Sequence, residues 1–141
     1  MDQEVDGEML GMFEMRRTQR VKDAAVADAV VVERNARVSD VIEMIESRGR
    51  CAVVVDAERR PIGVVSEGDV NYARSKGLEE APIWTVMSED PLTAREDWSL
   101  SEARRIMEEA GINCMPVVDS RGRLVGVLMA PRAVAPAPIT A

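Results

Sequence analysis

Ser66 and Asp69 stand three residues apart at the end of an apolar run, in GVVSEGDV, Gly63 to Val70. A strand that runs into a helix here presents backbone N–H groups and the positive end of a helix dipole, which suits an anionic or polyhydroxyl ligand. The Ser66 hydroxyl is suited to bond a phosphate or sugar oxygen. Asp69 is suited to accept two hydrogen bonds from the vicinal hydroxyls of a ribose, as a carboxylate does in dinucleotide-binding sites. Gly68 leaves space beside them. The same pair also reads as a helix cap, with Ser66 at the N-cap and Asp69 where the dipole favours a carboxylate. On spacing alone both readings stand, and one helix start can serve as both.

Composition narrows the chemistry further. The 141 residues carry 18 Lys and Arg against 25 Asp and Glu, a net charge of −7 that repels an extended phosphate backbone. Nucleic acid is therefore not an expected partner. The chain has no His, which removes the Ser/His/Asp and Cys/His arrangements and the usual catalytic zinc ligands. No P-loop, G-x-G-x-x-G or metal-ligand cluster is present. Neither a catalytic residue nor a metal site is expected. There is no run of eighteen apolar residues and no basic segment followed by an apolar one at the start, so the expectation is a soluble, cytoplasmic protein without a membrane partner. In that compartment Cys51 and Cys114, which lack CxxC spacing but occupy equivalent strand starts, are expected as buried, reduced thiols, with a disulfide as the less favoured alternative. Aromatic residues make up 3%, so the core must be built from Val, Ile, Leu, Ala and Met.

The elements that position Ser66 and Asp69 are written twice. Residues 24–70 and 86–132 can be laid over each other: Gly49 matches Gly111, Cys51 matches Cys114, VVD at 54–56 matches VVD at 117–119, and GV at 63–64 matches GV at 126–127. The second copy has one extra residue just after its glycine. Each copy predicts a first strand (29–32, 91–94) and a helix (about 38–48 and 100–110). The helices carry Val38, Val41, Ile42 and Ile45, or Leu100, Ala103, Ile106 and Met107, at i, i+3, i+4, i+7 spacing. Glycine ends each helix. Ser99 and Glu102 form an S-x-x-E capping box, whereas Arg37 and Asp40 make a weaker cap. Two strands around a polar turn follow, with continuous apolar runs that predict burial on both faces. A short helix from EGDV to Gly77 closes the first copy, while Pro131, Pro136 and Pro138 limit the second to an irregular tail over 134–141.

These residues resemble the tandem cystathionine-β-synthase (CBS) domain pair, often called a Bateman module. VMSEDPLTAREDWSLSEARRIMEEAGINCMPVVD is similar to the family's strand–helix–strand core, and GVVSEGDV to its G-h-h-S/T-x-x-D closing motif. The similarity covers about 21–133, divided as repeat 1 over 21–77 and linker with repeat 2 over 78–133. It implies an α/β fold of two β-α-β-β-α repeats related by a pseudo-twofold axis, with sheets packed together and clefts between them. It further implies a stand-alone regulatory module, not an enzyme, that senses an adenosine-containing ligand such as AMP, ADP, ATP or an S-adenosyl compound. Such modules commonly pair, so a homodimer is expected. The alternative is a ligand-free scaffold that dimerises and presents its N-terminal segment to a partner.

Carried over position by position, the resemblance sets Ser66 and Asp69 of one repeat against the other repeat. Pro91 and Leu92 then offer backbone hydrogen bonds to a purine's edge, Ile112 and Asn113 form the opposite wall, and Val64 packs on the base. Taken singly, Val64, Leu92 and Ile112 also read as ordinary core, and Asn113 as a turn residue. In the second cleft Met129 and Arg132 replace the hydroxyl and carboxylate, so ribose recognition is expected to be lost there, leaving one occupied site per chain. Arg50 and Arg132 read either as phosphate contacts or as solvated arginines. Within residues 1–20, Met9, Met12, Phe13 and Arg16 share one face if helical, which makes the segment a packing helix or a protein-partner surface. Trp84 and Trp98 flank the second copy's first strand and read as anchors of the linker or of a dimer contact.

Overall fold

A computed structural model describes residues 19–27 and 29–131; the proposed N-terminal helix, Arg132 and the tail lie outside the described residues. The chain order is α1 (Val21–Ala24), β1 (Val30–Glu33), α2 (Val38–Arg48), β2 (Ala52–Val55), β3 (Pro61–Val65), α3 (Glu67–Ser75), a 3-10 turn (Ile83–Thr85), β4 (Ser88–Glu89), β5 (Ala94–Arg95), α4 (Leu100–Ala110), β6 (Cys114–Val118) and β7 (Leu124–Met129). One sheet has the order β1-β2-β3-β4 and the other β5-β6-β7. In each, the first strand runs parallel to the second across a helical crossover, and a hairpin adds the third. The fold is the expected pair of repeats in a mixed α/β architecture.

The apolar spacing of the two long helices is realised except at Ile106, which is half-buried and outside the core cluster. Val38, Val41, Ile42 and Ile45 are buried with Val30, Ala52, Val54 and Val65 in the first repeat's core. Leu100, Ala103 and Met107 are buried with Met115, Val117 and Leu128 in the second. A third cluster, Cys51, Val53, Val55, Cys114, Leu124 and Val127, lies between the sheets. Strands β2 and β6 are therefore buried on both faces. Their hairpin partners are not: Ile62 and Val64 are half-buried and Val125 is exposed, so burial on both faces holds only for the central strand of each repeat.

The helix ends show what the sequence leaves open. Gly111 ends α4 in the left-handed region at φ 67°, whereas Gly49 ends α2 in extended backbone at φ −168°. The left-handed turn accompanies the extra residue of the second copy, which returns the chain to Cys114 in register with Cys51. Ser99 Oγ accepts the Glu102 N–H at 3.4 Å, but the Glu102 carboxylate takes Arg105 at 2.8 and 3.0 Å and does not complete the box. The weak cap at Arg37 is offset by main chain from a distant segment: Val38 N–H donates to Ala81 C=O and Ser39 N–H to Glu79 C=O, both at 2.9 Å.

That last contact is half of a reciprocal exchange. Val38 N–H to Ala81 C=O, Ile83 N–H to Ala36 C=O and Trp84 N–H to Arg34 C=O join the linker to the first repeat. Leu100 N–H to Gln19 C=O, Val21 N–H to Trp98 C=O and Lys22 N–H to Glu96 C=O join the leading segment to the second repeat in the same pattern. Val21 packs in the second core and Ile83 in the first. Each copy is thus completed by main chain that precedes the other, which binds the two copies into one body. Trp98 packs on the second core, while Trp84 is 43% exposed.

Two predicted features are corrected. The second repeat's first strand is Ala94–Arg95 only, pairing with Val117 and Val118. Pro91 has no N–H for a ladder, and Pro91 to Thr93 lie outside it. Cys51 and Cys114 are not separate thiols but a disulfide, with Cα atoms 6.8 Å apart and exposures of 2 and 8%. The pseudo-twofold axis brings the equivalent starts of β2 and β6 together in the inter-sheet layer, which places the two sulfur atoms within bonding reach.

Candidate functional site

Asp69 lies in the first turn of α3, and its carboxylate closes back on the helix start. Oδ2 accepts the Ser66 N–H at 3.0 Å and lies 3.2 Å from Ser66 Oγ. The helix-cap reading is realised in this half of a capping box. A second hydroxyl arrives from β4: Ser88 Oγ lies 3.3 Å from Oδ2 and 3.4 Å from Oδ1. Three of the four contacts fall on Oδ2, so Oδ1 keeps most of its acceptor capacity. Ser66 is exposed and Asp69 half-buried, which leaves both reachable from solvent.

Both residues face a cavity of about 690 Å³. Its lining includes all seven residues singled out in the sequence: Val64, Ser66, Asp69, Pro91, Leu92, Ile112 and Asn113. They arrive from four places: the end of β3 and start of α3, the segment before β5, and the loop between α4 and β6. Leu92 is 49% exposed, which removes the reading of it as ordinary core; Val64 and Ile112 are half-buried and pack against the inter-sheet layer and the second core. Pro91 and Leu92 line the cavity as irregular main chain outside the two-residue strand β5.

Ser88, Glu67, Gly68, Asn71, Gly111, Cys114 and Pro131 complete the lining together with Arg50. Arg50 is half-buried and engaged by the main chain: its Nη2 donates to the Ala130 carbonyl at 2.8 Å, and the Ala130 N–H donates to Asn113 C=O at 2.8 Å. Ser88 carried no sequence signal. It is placed by the antiparallel register Val64↔Ser88, a pairing of the second copy's leading strand with the first copy's hairpin.

The equivalent place on the other repeat is apolar. Val26 bridges Val127 as Ser88 bridges Val64, and Met129 stands where Ser66 stands. Hydroxyls on one side are thus replaced by aliphatic and thioether groups on the other. Among the described residues no group of three or more His, Cys, Asp or Glu could hold a metal ion, and no helix is long and apolar enough to cross a membrane.

Comparison with known proteins agrees with this geometry. A family model described as "CBS domain" matches residues 21–76 and 83–130. A 17.7 kDa protein of Acidianus ambivalens is 28% identical over 110 residues, 77% of this chain and 67% of its own. The chain spans only 14 to 40% of the curated relatives that follow, an inosine-5′-monophosphate dehydrogenase among them. Among solved structures, CBSX2 in complex with AMP is 27% identical, with a TM-score of 0.70 over 78% of this chain and 89% of that one. The CBS domain protein PAE2072 from Pyrobaculum aerophilum, complexed with AMP, is 27% identical, with a TM-score of 0.71 over 79 and 87%. With two matched repeats that fold as two β-α-β-β units around one inter-repeat cavity, this chain belongs to the CBS domain family.

Proposed function

We propose that the chain is a regulatory module that binds one adenosine-containing ligand, AMP or a related adenosyl compound, in the cavity between its repeats and acts as a sensor of it. The observation that carries this reading is the set of Ser66 and Asp69 across one cavity of about 690 Å³ from Pro91, Leu92, Ile112 and Asn113. That volume lies within the range of small-molecule sites. In the proposal Asp69 Oδ1 accepts ribose hydroxyls, Ser66 takes a sugar or phosphate oxygen, the Pro91–Leu92 main chain meets the purine's edge, and Val64 and Ile112 enclose the base. The two AMP-bound structures at 27% identity support the ligand class.

In this reading the module acts by binding: the chain has no His, and the Asp69 carboxylate that meets the Ser66 and Ser88 hydroxyls serves as a hydrogen-bond acceptor for the ligand. Occupancy biases a two-state equilibrium through differential affinity for the states. A second copy of the chain, or a protein partner met through residues 1–20, reads out the change.

Isothermal titration of the full chain against AMP, ADP, ATP, S-adenosylmethionine and GTP tests this. The expected result is one saturable event per chain with an adenosine compound. Asp69→Ala should weaken it at least about tenfold, since a hydrogen bond to a charged group contributes about 1.5–3 kcal/mol. A folded protein that binds none of the panel overturns the proposal.

A further inference from the structure

The Cys51–Cys114 disulfide stands in the wall of the cavity. Cys51 directly follows Arg50, and Cys114 directly follows Ile112 and Asn113; Arg50, Asn113 and Cys114 all line the space. The two wall segments are joined directly by the disulfide and indirectly by a relay through Ala130, whose C=O accepts from Arg50 Nη2 and whose N–H donates to Asn113 C=O, both at 2.8 Å. Of the two links only the disulfide is covalent, and only it responds to a reductant.

We propose that this disulfide is a redox switch on the ligand affinity of the cavity, an inference that rests on the reading of the cavity as an adenosine-ligand site. The co-reactant is a dithiol. Its thiolate attacks Cys114 Sγ, the S–S bond breaks, and Cys51 leaves as a thiolate that takes up a proton. The second thiol of the reductant then displaces Cys114, which is protonated in turn. The protein gains two electrons and two protons, and the dithiol becomes a cyclic disulfide. Cys51 is 2% exposed and Cys114 8%, and Cys114 is the one that lines the cavity. The cavity is therefore the reductant's approach, and a bound ligand closes it.

The oxidised form binds more tightly. With the covalent link intact, the Arg50 and Asn113 walls are held at one spacing before the ligand arrives, so less ordering accompanies binding. With the link broken, the relay through Ala130 and the inter-sheet packing of Val53, Val55, Leu124 and Val127 still hold the walls, but no covalent bond fixes their spacing, and binding must order them further. Linkage requires the reverse effect of equal size: a ligand favoured by the disulfide form favours the disulfide.

The test uses the full chain with AMP as probe. The protein is equilibrated in buffers of oxidised and reduced dithiothreitol, its thiols are counted by alkylation and mass, and AMP affinity is measured for each state. The expected result is at least about fivefold tighter binding by the oxidised form. Saturating AMP should shift the redox midpoint toward the disulfide by the same factor and slow its reduction. A Cys51→Ala/Cys114→Ala variant should bind like the reduced form whatever the buffer. If that variant does not fold, the chemically reduced wild type carries the comparison. Equal AMP affinity in the two redox states, or two alkylatable thiols across the whole redox range, overturns the switch and leaves the nucleotide proposal standing. Failure of AMP to bind either form overturns both.

Discussion

Ser88 Oγ lies 3.3 and 3.4 Å from the two carboxylate oxygens of Asp69, although the residues belong to different repeats. The contact depends on β4 pairing with β3, which sets Ser88 beside Val64. It fixes the carboxylate plane that the helix start, through Ser66, holds from the other side. Ser88→Ala leaves the helix bond in place and frees the carboxylate to rotate. The expected outcome is AMP binding weakened roughly fivefold, about 1 kcal/mol, with little change in melting temperature. Unchanged affinity by titration would show that the Ser66 contact alone orients Asp69.

The exchange of leading segments makes a packing prediction. A Cβ on Gly63 would sit 2.5 Å from Met87 Sδ and 2.8 Å from its Cγ, because Met87 crosses directly over the strand. Gly63→Ala is expected to destabilise by about 1–3 kcal/mol, as overpacking does. Met87→Ala in the same chain removes the two shortest contacts and leaves only the Met87 Cβ at 3.2 Å, so the double variant should lose less than the sum of the single losses. At the equivalent Gly126 the obstruction is the Val26 carbonyl at 3.2 Å together with Ala25 Cβ at 3.3 Å. Truncating a side chain leaves the main-chain contact in place, so Gly126→Ala should be rescued less by a neighbouring truncation than Gly63→Ala is. Urea unfolding of the single and double variants decides both cases.

The same exchange predicts that distant residues act as core anchors. Ile83 is fully buried in the first repeat's core, though it lies in the crossing between repeats. Ile83→Ala should cost roughly 2–5 kcal/mol, the range for a large aliphatic core truncation. Val21 is fully buried in the second core although it stands at the very start of the first repeat. Val21→Ala removes fewer atoms and should cost less, about 1–3 kcal/mol. Losses near zero at either position, measured by denaturant titration, would mean that the leading segments are detachable.

How much of this was legible follows from the range of each signal. Helices α2 and α4 are encoded locally, by apolar residues at i, i+3, i+4 and by glycine at each end, and they appear within the predicted bounds. The duplication and the family resemblance brought seven residues to one cavity. The rest depends on pairings across the pseudo-twofold axis. Ser88 is set by a strand register between repeats, the Arg37 cap is completed by Ala81 and Glu79, and Cys51 meets Cys114 only once the sheets pack. Compartment reasoning pointed to free thiols, and the equivalence of the two strand starts, which the sequence contains, was the better guide. Pro91 accounts for its own place outside the 91–94 strand, since it cannot donate to a ladder, but no residue type marks Leu92 and Thr93 as outside it, and Pro61 and Pro116 both lie within strands.

The two β-hairpins carry the same polar turn, and it yields a pH prediction. Asp119 Oδ1 accepts the N–H groups of Arg121 at 2.8 Å and Arg123 at 3.0 Å, as Asp56 Oδ1 accepts those of Glu58 and Arg60 at 2.9 and 2.8 Å. The Arg123 N–H first, then the Arg121 N–H and the two guanidinium charges, holds the Asp119 carboxyl below its usual value near 3.8. A folded-state pKa below the unfolded one means that the charged turn stabilises the fold above the unfolded value, and that the contribution disappears as pH falls through the folded one. Asp119→Asn keeps an oxygen for both N–H groups but removes the charge. Wild type should therefore melt above Asp119→Asn at pH 7, with the gap closing as the pH is taken below about 3.8. A gap that persists undiminished at low pH would assign the turn's stability to hydrogen-bond geometry alone.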